Sequence, residues 1–246
     1  MSASNPFLAA ILQDPTDDGA RQGCADWLQE DGGSPIWGRF IAASLVLARY
    51  RNIRLPVVDP EYPRAVAELD ATALTVVQQM SRAIGLRAEG ERWIWDAKDD
   101  AVTGLEVPPK GHKSRGLGRG IMLRRGLLSG VLASLRWCLD LFDKTLTRCP
   151  LEKVEVLDVP GLVFDVAILG DGHWELKSTL SVRPQVVGRD NGPFYMMPAD
   201  RWTWGREYKT RDDLVVDAAH AIPEMIERIQ RMAGERWPGP REDEGS

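Results

Sequence analysis

The chain has 246 residues, 43% of them hydrophobic and 27% charged, with a formal net charge of −5. That is the composition of a globular protein with a substantial core, and it argues against wholesale disorder and against a generally basic nucleic-acid binder. No apolar run approaches the ~20 residues needed to span a bilayer, and residues 1–19 lack the basic start of a signal peptide, so a cytoplasmic protein with no membrane attachment is expected.

Residues 6–13 read as a short helix with Phe7, Leu8, Ile11 and Leu12 on one face, ended by Asp14-Pro15. Asp17 or Asp18 then caps a second helix, in which Ala20, Cys24, Trp27 and Leu28 recur at helical spacing and Trp27 is expected in the core. Asp31-Gly32-Gly33 stops it. A third helix follows, with Ile36, Phe40, Ile41, Leu45 and Ala48 facing inward.

Residues 51–63 hold prolines at 56, 60 and 63 and read as a linker. A helix over 63–84 is predicted from Val66, Leu69, Ala73, Val76, Met80 and Ile84, with Gly85 as its stop. Residues 86–120 are polar and rich in Gly, Pro and Lys, so a loop is expected with a short strand or helix around Trp93-Ile94-Trp95. A strand over 121–128 follows. Ser129 is then expected to cap a helix with Leu132, Leu135, Leu139, Phe142 and Leu146 inside, closed by Cys149-Pro150. A strand at 154–159 completes a strand-helix-strand unit, in which Leu151, Val154 and Val156 have the spacing that opens a leucine-rich repeat. No second such unit follows, which excludes a long solenoid.

Beyond Pro160 the chain turns β-rich. Residues 163–169 and 174–182 form an expected hairpin about Gly170-Asp171-Gly172, with Trp174, Leu176, Leu180 and Val182 on the buried face. Residues 183–209 suggest an irregular lobe with short strands. Thr210 and Asp213 have capping-box spacing for a C-terminal helix that Pro223 is expected to interrupt, and residues 239–246 read as a disordered tail. The expected fold class is α/β (α+β). It has a helical module at 1–50, linker plus helix at 51–115, and an α/β region at 116–238 comprising a central repeat-like unit and a β-rich lobe with terminal helices.

The first fifty residues resemble the bacterial repeat-companion domain, a module often found ahead of leucine-rich repeats. The resemblance is carried by Phe7-Leu8, Ile11-Leu12, Asp14-Pro15, Asp17-Asp18, Arg21, Ala25-Asp26-Trp27-Leu28, Gly32 and Arg39-Phe40-Ile41. Gly23-Cys24 departs from the aliphatic-aromatic pair usual there, and Trp37 is an addition. The resemblance implies an accessory to interaction repeats more than a catalyst, and it assigns no functional residue.

Three chemistries can be weighed directly. Asp165 with Glu175 and Lys177 has the order of a restriction-like nuclease, in which carboxylates hold magnesium and the lysine offsets phosphate charge. On an alternating strand, however, Glu175 and Lys177 occupy positions that normally form a solvated face. Lys110, Lys113, Arg115, Arg119, Arg124 and Arg125 form an acid-free basic stretch that suits phosphate contacts or a solvated loop. Trp202 and Trp204, beside Arg201 and Arg206, suit a protein-contact hot spot, a base-stacking platform or the core of a small lobe. Cys24, Cys138 and Cys149 are odd in number and far apart, and His112, His173 and His220 are scattered, so neither a disulfide framework nor a metal or cofactor site is expected. The expectation is a non-enzymatic interaction or scaffold protein with an unidentified protein partner. The alternative is a nucleic-acid-associated protein, either a binder through the basic stretch or a nuclease.

Overall fold

Capping chemistry and close backbone approaches set the local structure of the chain. The computed structural model describes residues 5–31, 33–50, 59–85, 94–95, 121–182, 186–187, 195–196, 200–234 and 237–238. The architecture is mixed α/β, with N-terminal helices followed by strands with an interspersed and a C-terminal helix. Two compact units result, one of Met1–Val131 with Thr145–Leu151 and one of Leu132–Lys144 with Glu152–Ser246. Among the described residues no helix is long and apolar enough to cross a membrane.

In the first unit, α1 (Leu8–Gln13) buries Leu8, Ile11 and Leu12. Asp17 caps α2 (Asp18–Glu30), its carboxylate accepting the Ala20 N–H at 3.0 Å. The buried stripe of α2 is Arg21, Cys24, Ala25 and Leu28, rotated from the expected one, so that Ala20 and Trp27 are half-buried. The reason is Arg21. Its guanidinium donates to the carbonyls of Arg124 (3.0 Å), Arg125 (3.4 Å) and Pro15, and that solvation makes a buried cation tolerable.

The next helix, α3 (Pro35–Ala48), begins with Pro35 in its first turn, where a missing N–H costs nothing. Phe40, Ile41 and Leu45 are buried as expected, Ile36 and Ala48 are half-buried, and Trp37 goes inside. The helix α3 packs against α4 (Glu61–Ala83), which starts earlier than residue 63 because Asp59 accepts the Glu61 N–H at 2.9 Å and Pro63 fits a first turn. Leu69, Ala73, Val76, Met80 and Ile84 are buried, and Val66 is half-buried.

Strand β1 (Ile94–Trp95) pairs in parallel with β2 (Ile121–Arg124), which turns antiparallel into β3 (Leu127–Ala133). The single strand expected over 121–128 is therefore a hairpin. Its turn residues Arg125 (φ 48°) and Gly126 (φ 81°) both have positive φ, as a two-residue type I′ turn requires. A Cβ at Gly126 would lie 2.6 Å from the Ile41 Cα, so the close approach demands glycine as well. Trp37 Nε1 donates to the Gly126 carbonyl at 3.2 Å. The chain leaves the first unit inside β3, after Val131.

The helix expected from Ser129 starts later. Ser129 and Leu132 lie in β3, and α5 (Leu135–Leu146) is capped by Ser134, which accepts the Trp137 N–H at 3.2 Å. Asp158 accepts the Leu135 N–H at 2.7 Å. Phe142 and Leu146 are buried as expected, but Leu139 is 45% exposed, and Trp137 and Cys138 take the inner face.

The second unit holds the antiparallel strands β4 (Lys153–Val156), β5 (Leu162–Ile168) and β6 (Trp174–Val182). β4 is shorter than the expected 154–159. β7 (Val186–Val187) and β8 (Tyr195–Met196) pair with each other. β9 (Asp200–Tyr208) is a nine-residue strand paired along its whole length with β6, where an irregular lobe was expected. One face of β4–β5–β6 buries Val154, Phe164, Val166, Leu176 and Leu180. Phe142 of α5 meets Phe164 edge-on at 5.9 Å, and α6 (Arg211–Ala233) packs on β6 and β9. The capping box at Thr210 and Asp213 is present. Pro223 does not break this helix as expected. Its ring lies on the exposed side, while Ala218, Ala221, Ile222, Met225, Ile226 and Ile229 keep the buried stripe continuous past it. The tail at 239–246 lies outside the described residues.

Candidate functional site

The second unit brings the candidate residues of its sheet onto two opposite faces. Because side chains alternate along β9, Trp202, Trp204, Arg206 and Tyr208 point to the face on which α6 packs, while Arg201, Thr203, Gly205 and Glu207 point to the other. Both tryptophans are half-buried, neither core residues nor free surface groups.

Arg206 is held from α6, donating to Asp217 Oδ2 at 2.5 Å and to Glu224 Oε2 at 2.6 Å. The Tyr208 hydroxyl donates to the same Asp217 oxygen at 2.9 Å. Trp204 lies near two guanidinium groups, Arg206 at 5.5 Å and Arg228 at 5.1 Å from the ring centroid, and Arg228 donates to Glu224 at 3.1 Å. Further along, Arg211 sits 5.7 Å from the Trp174 ring, on the strand residue paired with Tyr208. These contacts restrain the side chains of Trp204, Arg206 and Tyr208 before any partner arrives.

The charges follow this geometry. Burial pushes the Asp217 carboxyl up, but hydrogen bonds from Arg206 and Tyr208 and the Arg206 charge outweigh it and leave the group below its ordinary value. Burial, then the hydrogen bond to Asp217, raises the Tyr208 phenol. The Asp217 hydrogen bond also makes Arg206 hold its proton more firmly, so this cation stays charged at any physiological pH.

The opposite face is a mixed-charge surface. Asp165 is directly across from Lys153 on β4 and Lys177 on β6, with Glu175 on the neighbouring strand 3.5 Å from Lys177. The structure does bring Asp165, Glu175 and Lys177 to one face. Burial raises the Asp165 carboxyl above its usual range, against the pull of Lys153, Lys177 and Arg201. The carboxylate is flanked across the sheet by two lysines, each of which is ion-paired with a glutamate, Lys153 with Glu155 at 2.6 Å and Lys177 with Glu175. Among the described residues no group of three or more His, Cys, Asp or Glu side chains is placed to hold a metal ion.

Of the basic stretch, Lys110, Lys113, Arg115 and Arg119 lie outside the described residues. Arg124 and Arg125 stand at the β2–β3 turn, where Arg125 donates to Asp18 at 2.8 Å and to the Thr16 carbonyl at 3.2 Å. Sequence reasoning missed Asp217, Glu224 and Arg228, which anchor the strip. Their positions, seven and four residues apart, mark one helical face, a signal hidden by the expectation that Pro223 splits the helix. No protein-family model matches the chain, and no curated protein or solved structure matches it either.

Proposed function

We propose that this chain is a non-enzymatic accessory protein that docks onto a protein partner through the β9 strip, with residues 5–50 acting as a repeat-companion-like module. The observation that carries the reading is the placement of Trp202 and Trp204. Both are half-exposed on a terminal strand, and Trp204 is pre-set by Arg206 and Arg228. Aromatic and arginine side chains dominate interface energetics because they bury large areas at little entropic cost when already held. The three cysteines are buried and none is in a disulfide, which supports a reducing, cytoplasmic setting.

Trp202→Ala and Trp204→Ala test this. Each variant is expected to stay folded, as read by thermal melting, yet to capture its partner from a lysate of the native host more weakly by ~2 kcal/mol or more, about 30-fold. Early melting with unchanged capture at the folded state identifies the rings as core and refutes the reading. Steeply salt-dependent binding of labelled DNA or RNA, abolished by substitutions at Lys110 and Lys113, favours the nucleic-acid alternative instead.

A further inference from the structure

We propose that β9 is a self-complementary edge strand, and that two copies of this chain associate through it, antiparallel about a two-fold axis at Trp204. The inference rests on reading the β9 strip as an interface and goes on to name the partner of that strip. β9 is the terminal strand of its sheet and pairs on one side with β6, and among the described residues no strand pairs with its other edge. An edge of that kind presents a row of backbone donors and acceptors to any extended chain that fits.

The sequence of β9 fits itself. In the antiparallel register that overlaps all of Asp200–Tyr208, Asp200 faces the second copy's Tyr208, Arg201 faces Glu207, Trp202 faces Arg206, Thr203 faces Gly205, and Trp204 faces its own mate. The two-fold axis makes each pairing occur twice. Arg201 and Glu207 are both exposed and project to the same face, so this register forms two opposite-charge cross-strand pairs. On the other face Trp202 meets an Arg206 whose charge is already balanced by Asp217 and Glu224.

Neighbouring registers lose this fit. A slide of one residue would set the helix-covered face of one copy against the open face of the other. A slide of two residues places Arg201 opposite Gly205 in one direction and opposite Lys209, a like charge, in the other.

Two further observations favour a second copy. Within one chain Glu207 stands directly opposite Glu175 on β6, a like-charge pair that costs stability. The second copy's Arg201 would lie on the far side of Glu207 and offset that repulsion. Trp202 and Trp204 also keep half-exposed surface at the strand edge, which a strand added beside β9 would cover.

Sedimentation velocity on the full chain, from micromolar to hundreds of micromolar, tests the proposal. The wild type is expected to shift from monomer to dimer with concentration. Arg201→Glu and Glu207→Arg, each placing like charges opposite twice, are expected to weaken the dimer about tenfold or more. The double variant Arg201→Glu with Glu207→Arg restores the pairing with signs exchanged and is expected to recover dimerisation. A wild type that stays monomeric throughout, or a double variant as weak as the single ones, overturns the inference. A monomeric chain whose Trp204→Ala variant still loses a captured protein would sink the dimer while leaving the broader reading of the strip in place.

Discussion

Trp37 offers the sharpest test of how the first unit is built. The ring is 7% exposed, and its Nε1 donates to the Gly126 carbonyl 89 residues away in sequence. Trp37→Ala removes the ring and leaves that buried carbonyl without the indole donor, so a cost of about 3–5 kcal/mol is expected. Trp37→Phe keeps most of the apolar area and isolates the hydrogen bond, with an expected cost of about 1–3 kcal/mol. Trp27→Ala should cost less than Trp37→Ala, about 1–2 kcal/mol, because the Trp27 ring is half in water already. For a chain of this size each kcal/mol moves the melting temperature by roughly 2–4 °C, so Trp37→Ala should melt roughly 6–20 °C early by far-ultraviolet circular dichroism. Native-state hydrogen exchange at the amides of Phe40 and Ile41 reads the same loss locally, independent of the second unit. A Trp27→Ala variant less stable than Trp37→Ala would refute the rotation of the α2 stripe by Arg21. A Trp37→Ala variant that melts with the wild type would refute the docking of the hairpin turn onto α3.

Further outcomes follow from the second unit. Asp217 is held below its unfolded value, so its contribution is present above the ordinary carboxylate range near pH 4 and is lost as pH falls through the depressed folded value. Wild type should therefore exceed Asp217→Asn in stability by about 1–2 kcal/mol at neutral pH, the gap closing on acidification below about pH 4. Melts across pH check this, and a gap that widens in acid would contradict the assignment. Pro223→Ala should raise stability by about 1–3 kcal/mol, because it restores a helical N–H and removes the ring's clash with the preceding turn. Chemical denaturation measures this, and a destabilised variant would mean the proline shapes α6 in a way the packing does not show.

Much of the fold was written in local pattern. The Asp17 cap, the Thr210–Asp213 capping box, the body of α4 and the β5–β6 hairpin depend on neighbours within a few residues, and the sequence expresses those neighbours directly. The same holds for Glu175 and Lys177, whose period-two spacing placed them on one face of their strand, while the β5–β6 register set Asp165 opposite Lys177. Tertiary structure decided what depends on partners far along the chain. Arg21 is buried because carbonyls more than a hundred residues away solvate its guanidinium, and no periodicity reveals that. Trp37 goes into the core because the β2–β3 turn, built on two positive-φ residues, supplies an acceptor for its indole. Ser129 reads as a helix cap from sequence, yet pairing across the β2–β3 hairpin draws its segment into β3 and leaves the cap to Ser134. The role of Arg206 was equally invisible. Whether that guanidinium faces a partner or is neutralised by its own chain depended on α6 running unbroken past Pro223, so that Asp217 and Glu224 reach it together. A pattern of residue types states which chemistries are possible, but the choice among them is made by long-range contacts that satisfy, or fail to satisfy, each buried charge and donor.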